Sequence, residues 1–249
     1  MPEILLTHVS VMAGNLHLLE GASFHIEHQA TTLVIGSSGS GKTTFLKAAA
    51  GLLDYQSGSI VRGESDLRSF NREKTLEMHK NTGFMFQDAA LWANKSIGYN
   101  LALPLRVKWP KIAKGEIDDR IERAVHSVGF KGELDLRPST LSTGEMKLIS
   151  FLRAVITDPD IIFLDEPLAS LDRRKGEKLL SYMEFLKEKK KTMVIVSHNS
   201  ELTARLADNM VLLHQGRVVK SGKYKEVFFS ADPVVKEILY DAVEGESSK

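Results

Sequence analysis

Eight residues, Gly36-Ser37-Ser38-Gly39-Ser40-Gly41-Lys42-Thr43, constrain this chain more than any others. They interrupt the β-forming run TTLVI and are followed by a helical pattern over residues 43–53. Small residues pack poorly and glycine loses the most freedom on folding, so such a stretch needs a compensating interaction. The spacing G-x-x-x-x-G-K-[ST] supplies one. Glycines let successive backbone N–H groups converge on phosphate oxygens, and the next helix adds the positive end of its dipole. Lys42 offers a point charge for the β- and γ-phosphates, Thr43 a hydroxyl for Mg²⁺, and Thr44 extends the cradle. The alternative is a Gly/Ser turn with an incidental lysine. At average residue usage the pattern arises by chance in about 1% of chains of this length, and chance does not demand the strand-before, helix-after context seen here.

Four near-continuously apolar runs, at 33–36, 83–87, 161–166 and 193–198, each end on a small or polar residue. That is the pattern of parallel strands buried on both faces. Helical patterns at 43–53 and 174–188 separate them, which predicts an α/β core with its ligand chemistry at the carboxyl ends of the strands. The runs ILLTHVSV and LLEGASFHIE predict an antiparallel edge sheet, and MVLLHQGRVV predicts a hairpin closed by Gln215-Gly216. Residues 89–150 interrupt the alternation with mostly helical pattern. The expected organisation is therefore a single nucleotide-binding domain. Residues 1–88 and 151–222 form its α/β core with the β subdomain, 89–150 an inserted helical subdomain, and 223–249 a C-terminal helix and tail. Asp232-Pro233 has the composition of a helix start, and the tail EGESSK that of a disordered end.

A phosphate loop needs a metal partner, and the run IIFLDE supplies adjacent carboxylates. Asp165 suits a Mg²⁺ shell, and Glu166 suits polarisation of an attacking water. Two carboxylates at a strand end are common by themselves. Downstream of a phosphate loop, an apolar strand ending Asp-Glu-Pro is far more specific.

The net charge of +1 gives no electrostatic footprint for nucleic acid or an anionic membrane. The absence of cysteine excludes disulfides and thiolate metal sites and fits a reducing compartment. No basic segment precedes an apolar core at the N-terminus, and no apolar run reaches the roughly 18–20 residues of a membrane-spanning helix. The expected location is cytoplasmic, peripheral on the inner face of the cell membrane.

These motifs resemble those of the ATP-binding cassette (ABC) ATPases over nearly the whole chain. Gln87 matches the Q-loop glutamine, Leu141-Ser142-Thr143-Gly144-Glu145 the signature LSGGQ, Leu171-Asp172 the D-loop, and His198 the switch histidine. The resemblance implies a P-loop NTPase fold with a RecA-like, mostly parallel core, an antiparallel β subdomain and an inserted α-helical subdomain. It implies ATP and Mg²⁺ as cofactors, with Thr43, Gln87 and Asp165 around the metal and Glu166, His198 and Gln87 at the reaction. It further implies head-to-tail dimerisation around two ATPs, Leu141–Glu145 and Asp172 meeting the partner's nucleotide, and an integral membrane permease subunit as the driven machine.

Two residues of the signature depart from the family pattern, Thr143 for glycine and Glu145 for glutamine; S-x-x-E is also a helix capping box. The aromatic that usually stacks on adenine is replaced, in VSVMAGNLHLL, by Met12 or Ala13. The segment FMFQDAALWANKSIGYNLALPLR, with ADPVVKEIL, is similar to ATPases of phospholipid trafficking that work with mammalian-cell-entry (MCE) proteins, implying an MCE-type substrate-binding partner. Trp92 and Leu103-Pro104 then belong either to a coupling surface or to the core of the helical subdomain. The basic run 187–191 reads as a solvated helix end, favourable to the macrodipole. Other readings are the ATPase of another importer or exporter, a soluble ABC ATPase acting on DNA or ribosomes, and a non-hydrolysing nucleotide switch. The soluble class usually carries two cassettes, coiled-coil insertions or zinc motifs, and Lys42, Asp165, Glu166 and His198 together favour hydrolysis.

Overall fold

The computed structural model describes residues 3–244. Its elements in chain order are β1 (Ile4–Ala13), β2 (Leu16–Ile26), β3 (Thr31–Ile35), α1 (Lys42–Ala49), β4 (Ser57–Arg62), β5 (Ser65–Asp66), α2 (Arg72–Lys80) and β6 (Thr82–Met85). Then follow α3 (Ile97–Lys108), α4 (Lys114–Ser127), α5 (Thr143–Val155), β7 (Ile161–Asp165), α6 (Arg173–Glu188) and β8 (Thr192–Val196). The chain closes with α7 (Ser200–Leu206), β9 (Asn209–His214), β10 (Arg217–Lys223), α8 (Tyr224–Phe228) and α9 (Pro233–Glu244). Most of the tail EGESSK lies outside the described residues.

The strands form two sheets. One is antiparallel with order β2-β1-β4-β5; the other has order β10-β9-β3-β8-β7-β6 and is parallel except for β10 at its edge. The fold is thus α/β with the expected antiparallel partner sheet. All five residues of β3, β7 and β8 are buried, as strands covered on both faces must be.

Alternate residues of these strands serve two separate cores, the period-2 consequence of the pleat. Leu33, Ile35, Ile162, Leu164, Met193 and Ile195 face a cluster with Leu148, Phe151 and Leu152 of α5 and Leu179 and Met183 of α6. Val34, Phe163, Val194 and Val196 face Phe45 and Leu46 of α1 and Ile4, Leu6 and Ile26 of the antiparallel sheet. Each fully buried side chain of this kind contributes about 1.5–3 kcal/mol relative to exposure. Helix α1 is sandwiched between the sheets, so the loop that precedes it is held from both sides.

Several local expectations meet a more specific outcome. Helix α1 ends at Ala49, short of 53, with Gly51 at φ +70° just beyond it. The hairpin at Gln215-Gly216 forms, with both turn residues at positive φ. The basic run 187–191 is not simply solvated: Lys187 bonds Leu206 O and Asp208, and Lys191 pairs with Asp158. Trp92 is half-exposed and lies beside Leu103 and Pro104 on a surface groove, outside the core.

Candidate nucleotide site

The loop after β3 turns sharply because its backbone has no room for side chains. A Cβ on Gly36 would lie 2.1 Å from Leu213 O, and one on Gly41, at φ +97°, would lie 2.5 Å from Leu18 O. The first turn of α1 has no side-chain cap, so its amides retain their capacity for an anion. Lys42 folds back over the loop, its Nζ donating to Gly36 O at 2.7 Å and Ser37 O at 2.9 Å. Ser40 is buried beneath it, its hydroxyl without a hydrogen-bond partner among the described residues.

The strand ends bring the acidic groups to this loop. Thr43 Oγ1 donates to Asp165 Oδ2 at 2.8 Å, joining α1 to β7. Asp165 is 1% exposed; burial raises its carboxyl pKa, opposed by the Thr43 bond and by the charge of Lys147. Its Oδ1 has no partner among the described residues. A buried carboxylate oxygen left over beside a threonine hydroxyl fits Mg²⁺, a hard cation held by few protein oxygens together with phosphate and water. Consistently, no group of three or more His, Cys, Asp or Glu side chains among the described residues could hold an ion without such help.

Glu166 follows at φ +49°, a left-handed conformation rare for non-glycine residues, with its amide donating to Val196 O. This turn carries its carboxylate to His198, Oε1 to Nε2 at 3.3 Å, both side chains largely shielded. A single cleft of about 590 Å³ is lined by Ser38, Gly39, Gly41, Lys42, Thr43, Thr44, Gln87, Asp165, Glu166 and His198. The ends of four parallel strands thus converge on one cavity, as open α/β sheets direct.

Those three connected features, loop, paired carboxylates and histidine, decide the family together with the comparisons. A family model described as ABC transporter matches residues 19–169. The chain belongs to the ABC transporter family. The ABC cassette is 36% identical over 224 residues to the molybdenum import ATP-binding protein ModC of Brucella melitensis biotype 1, covering 88% of this chain and 60% of that protein. It is 28% identical over 226 residues to the methionine import ATP-binding protein MetN of Clostridioides difficile, covering 90% and 70%. The chain therefore spans about 60% of the length of the molybdenum import proteins it matches. Among solved structures, dimeric MJ0796, a bacterial ABC transporter cassette, superposes with TM-score 0.82 at 25% identity, covering 89% of this chain and 98% of that one.

The residues expected to form the signature and D-loop stand apart from the cleft. Ser142 and Thr143 are exposed at the start of α5, and Asp172 is exposed at the start of α6, accepting from Lys175 N at 2.9 Å. Gly144 is buried against Ser170 and Leu171, so the two segments pack on each other. The capping box is formed: Ser142 N and Oγ donate to Glu145 Oε2 at 2.9 and 2.7 Å, and Glu145 N donates to Ser142 Oγ at 3.3 Å. These bonds, the Ser142 hydroxyl first, hold the Glu145 carboxyl below its usual pKa.

The cleft wall is made by Leu16, His17 and Leu18, and neither Met12 nor Ala13 lines it. The reason is the close passage of β2 over the loop: Leu18 O and a Leu19 methyl lie within 2.5 and 3.2 Å of where Gly41 would carry a Cβ. A reading by position within VSVMAGNLHLL could not see which side of the β1–β2 turn would cross Gly41.

Proposed function

We propose that this chain binds ATP and Mg²⁺ in the cleft and hydrolyses ATP as the energising subunit of a membrane transporter. The observation that carries the reading is the convergence of Lys42, Thr43, Gln87, Asp165, Glu166 and His198 on one cavity. Loop amides and Lys42 bind the β- and γ-phosphates, while Thr43, Asp165 and Gln87 hold Mg²⁺, which neutralises phosphate charge when bound. Glu166 accepts the proton of the attacking water, and His198 orients Glu166 and contacts the γ-phosphate. The γ-phosphorus–oxygen bond to ADP breaks as the bond to water's oxygen forms. His17 or Leu16 covers the adenine in place of Met12.

The signature, Leu141 to Glu145 with Ser142 and Thr143 exposed, and Asp172 serve the nucleotide of a second copy in a head-to-tail dimer. Residues 89–150 form the helical subdomain that carries the signature. Beside it, the groove lined by Phe86, Ala90, Trp92, Leu103, Pro104 and Val107 receives a permease subunit. No helix among the described residues is long and apolar enough to cross a membrane. Named relatives are import proteins for molybdenum and methionine, which favours an importer. The finer likeness to phospholipid-trafficking ATPases and an MCE-type partner gains no support from these relatives and rests on residues 84–106 and 231–239 alone.

The deciding experiment measures ATP turnover and nucleotide affinity in wild type, Lys42→Ala and Glu166→Gln. Lys42→Ala should lose binding and turnover together; Glu166→Gln should keep binding and retain less than about a tenth of turnover. Equal turnover in wild type and Glu166→Gln would overturn the assignment of the base.

A further inference from the structure

Helix α5 bears polar side chains at intervals of three, Lys147, Ser150 and Arg153, which places them along one face. Each donates to a backbone carbonyl of a loop beside the cleft. Lys147 Nζ reaches Glu166 O at 3.2 Å, and Ser150 Oγ reaches Ala89 O at 2.8 Å. Arg153 Nη1 reaches Ala90 O at 2.8 Å and Nη2 reaches Ala89 O at 3.0 Å. The three residues so held share an uncommon backbone: Glu166, Ala89 and Ala90 have φ of 49°, 64° and 47°, and none is glycine. Such conformations persist only where the surroundings over-determine them. Here the surrounding that grips all three is a single helix face.

Lys147 is the unusual member. It is 4% exposed, and burial pulls its ammonium pKa below the usual lysine range, opposed by Asp165, Glu166 and Asp88. A shielded ammonium is costly unless its donors are used, and a neutral residue of similar length would fill the space without that cost. The lysine therefore has a reason other than packing.

We propose that Lys147 is a positioning residue for Glu166: its bond to the Glu166 carbonyl fixes the left-handed turn that sets the carboxylate against His198. Since α5 begins at Ser142–Glu145, the same helix ties the base of one cassette to the segment that meets the partner's nucleotide. Ser150 and Arg153 extend the tie to the loop after Gln87. This inference rests on the reading of Glu166 as the base, and the experiment separates the two.

The full chain is assayed for kcat, KM for ATP and melting temperature as wild type, Glu166→Gln, Lys147→Met and Lys147→Arg. Met keeps the length and apolar stem and removes the donor; Arg keeps the donor and charge. The expected result is a kcat for Lys147→Met at least about tenfold below wild type, KM within about threefold, and no loss of melting temperature. Lys147→Arg should recover at least about a third of wild-type kcat. Should Glu166→Gln abolish turnover while Lys147→Met stays within twofold of wild-type kcat, the base stands and the positioning role falls. A Lys147→Met that loses melting temperature and nucleotide affinity along with kcat, or a Lys147→Arg without recovery, shows a merely structural lysine and overturns the proposal. Turnover retained by Glu166→Gln fails the underlying reading instead.

Discussion

Gly36 shows how little latitude the site leaves a single residue. A methyl group there meets a backbone carbonyl at 2.1 Å, and a carbonyl in a buried strand cannot step aside. Gly36→Ala should therefore displace the loop, lowering ATP affinity at least about tenfold and stability by about 1–3 kcal/mol; nucleotide titration and thermal melting measure both. Glu145 presents the opposite case, a residue with two separable roles. Its carboxylate caps α5, and in a head-to-tail dimer it would stand near the partner's nucleotide. At about 8 Å and an effective dielectric constant of 20–80, each like-charge pair costs about 0.5–2 kcal/mol. Glu145→Gln should thus increase ATP-dependent dimer on a Glu166→Gln background, read by sedimentation, whereas Glu145→Ala should lower the melting temperature. The cap has a pH signature. A carboxyl whose pKa is depressed on folding stabilises the fold above its unfolded value, about 4.3, and loses that contribution as pH falls through the folded value. The small stability advantage of wild type over Glu145→Gln at pH 7 should vanish below the depressed value; an advantage independent of pH would sink the assignment.

At the scale of elements, the legible parts were those with strong local pattern. The loop from Gly36 to Thr43 needs glycine and lysine at fixed spacing, and β3, β7 and β8 needed continuous apolar runs to be buried on both faces. What escaped was set by contacts between distant segments. His17 reaches the cleft because β2 crosses Gly41, and Lys147 reaches Glu166 across 19 residues of chain; neither has a marker in its neighbours. Strand β5 and helix α2 carry no strong local pattern either, for β5 is two residues long and α2 buries only Met78. The groove beside α3 is an element-level surface. Its apolar side chains, Trp92 half-exposed among them, can lose water only against a partner. Trp92→Ala with Val107→Asp should abolish recovery of the chain with a membrane protein from native membranes while leaving ATP affinity within about twofold; undiminished recovery would place the permease elsewhere.

The whole molecule is a nearly neutral chain in which the cleft and the segments proposed to meet a partner's nucleotide face different ways. Asp165 is buried in the cleft and Glu166 and His198 are partly shielded there, whereas Ser142, Thr143 and Asp172 are exposed away from it. In a head-to-tail dimer, bringing two copies together would also bring two anionic nucleotides together, with a net charge of only +1 per chain to offset them. With ATP the isolated chain should therefore dimerise only weakly, and without nucleotide, which would bridge the two copies, it should sediment as a monomer; a tight dimer without nucleotide or permease would contradict this account. Gly216 bears on a different property of the whole. Its carbonyl accepts from Glu20 N of the antiparallel sheet at 2.8 Å, and its amide donates to Ser40 O of the phosphate loop at 3.0 Å. One residue in a hairpin turn thus bridges the two sheets through the loop between them. Fraying of either sheet costs a bond at this residue, so the sheets should melt as one cooperative unit. Within it, the Gly216 amide should exchange its hydrogen for deuterium more slowly once ATP occupies the loop, which makes this turn at the wall of the cleft a gauge of occupancy.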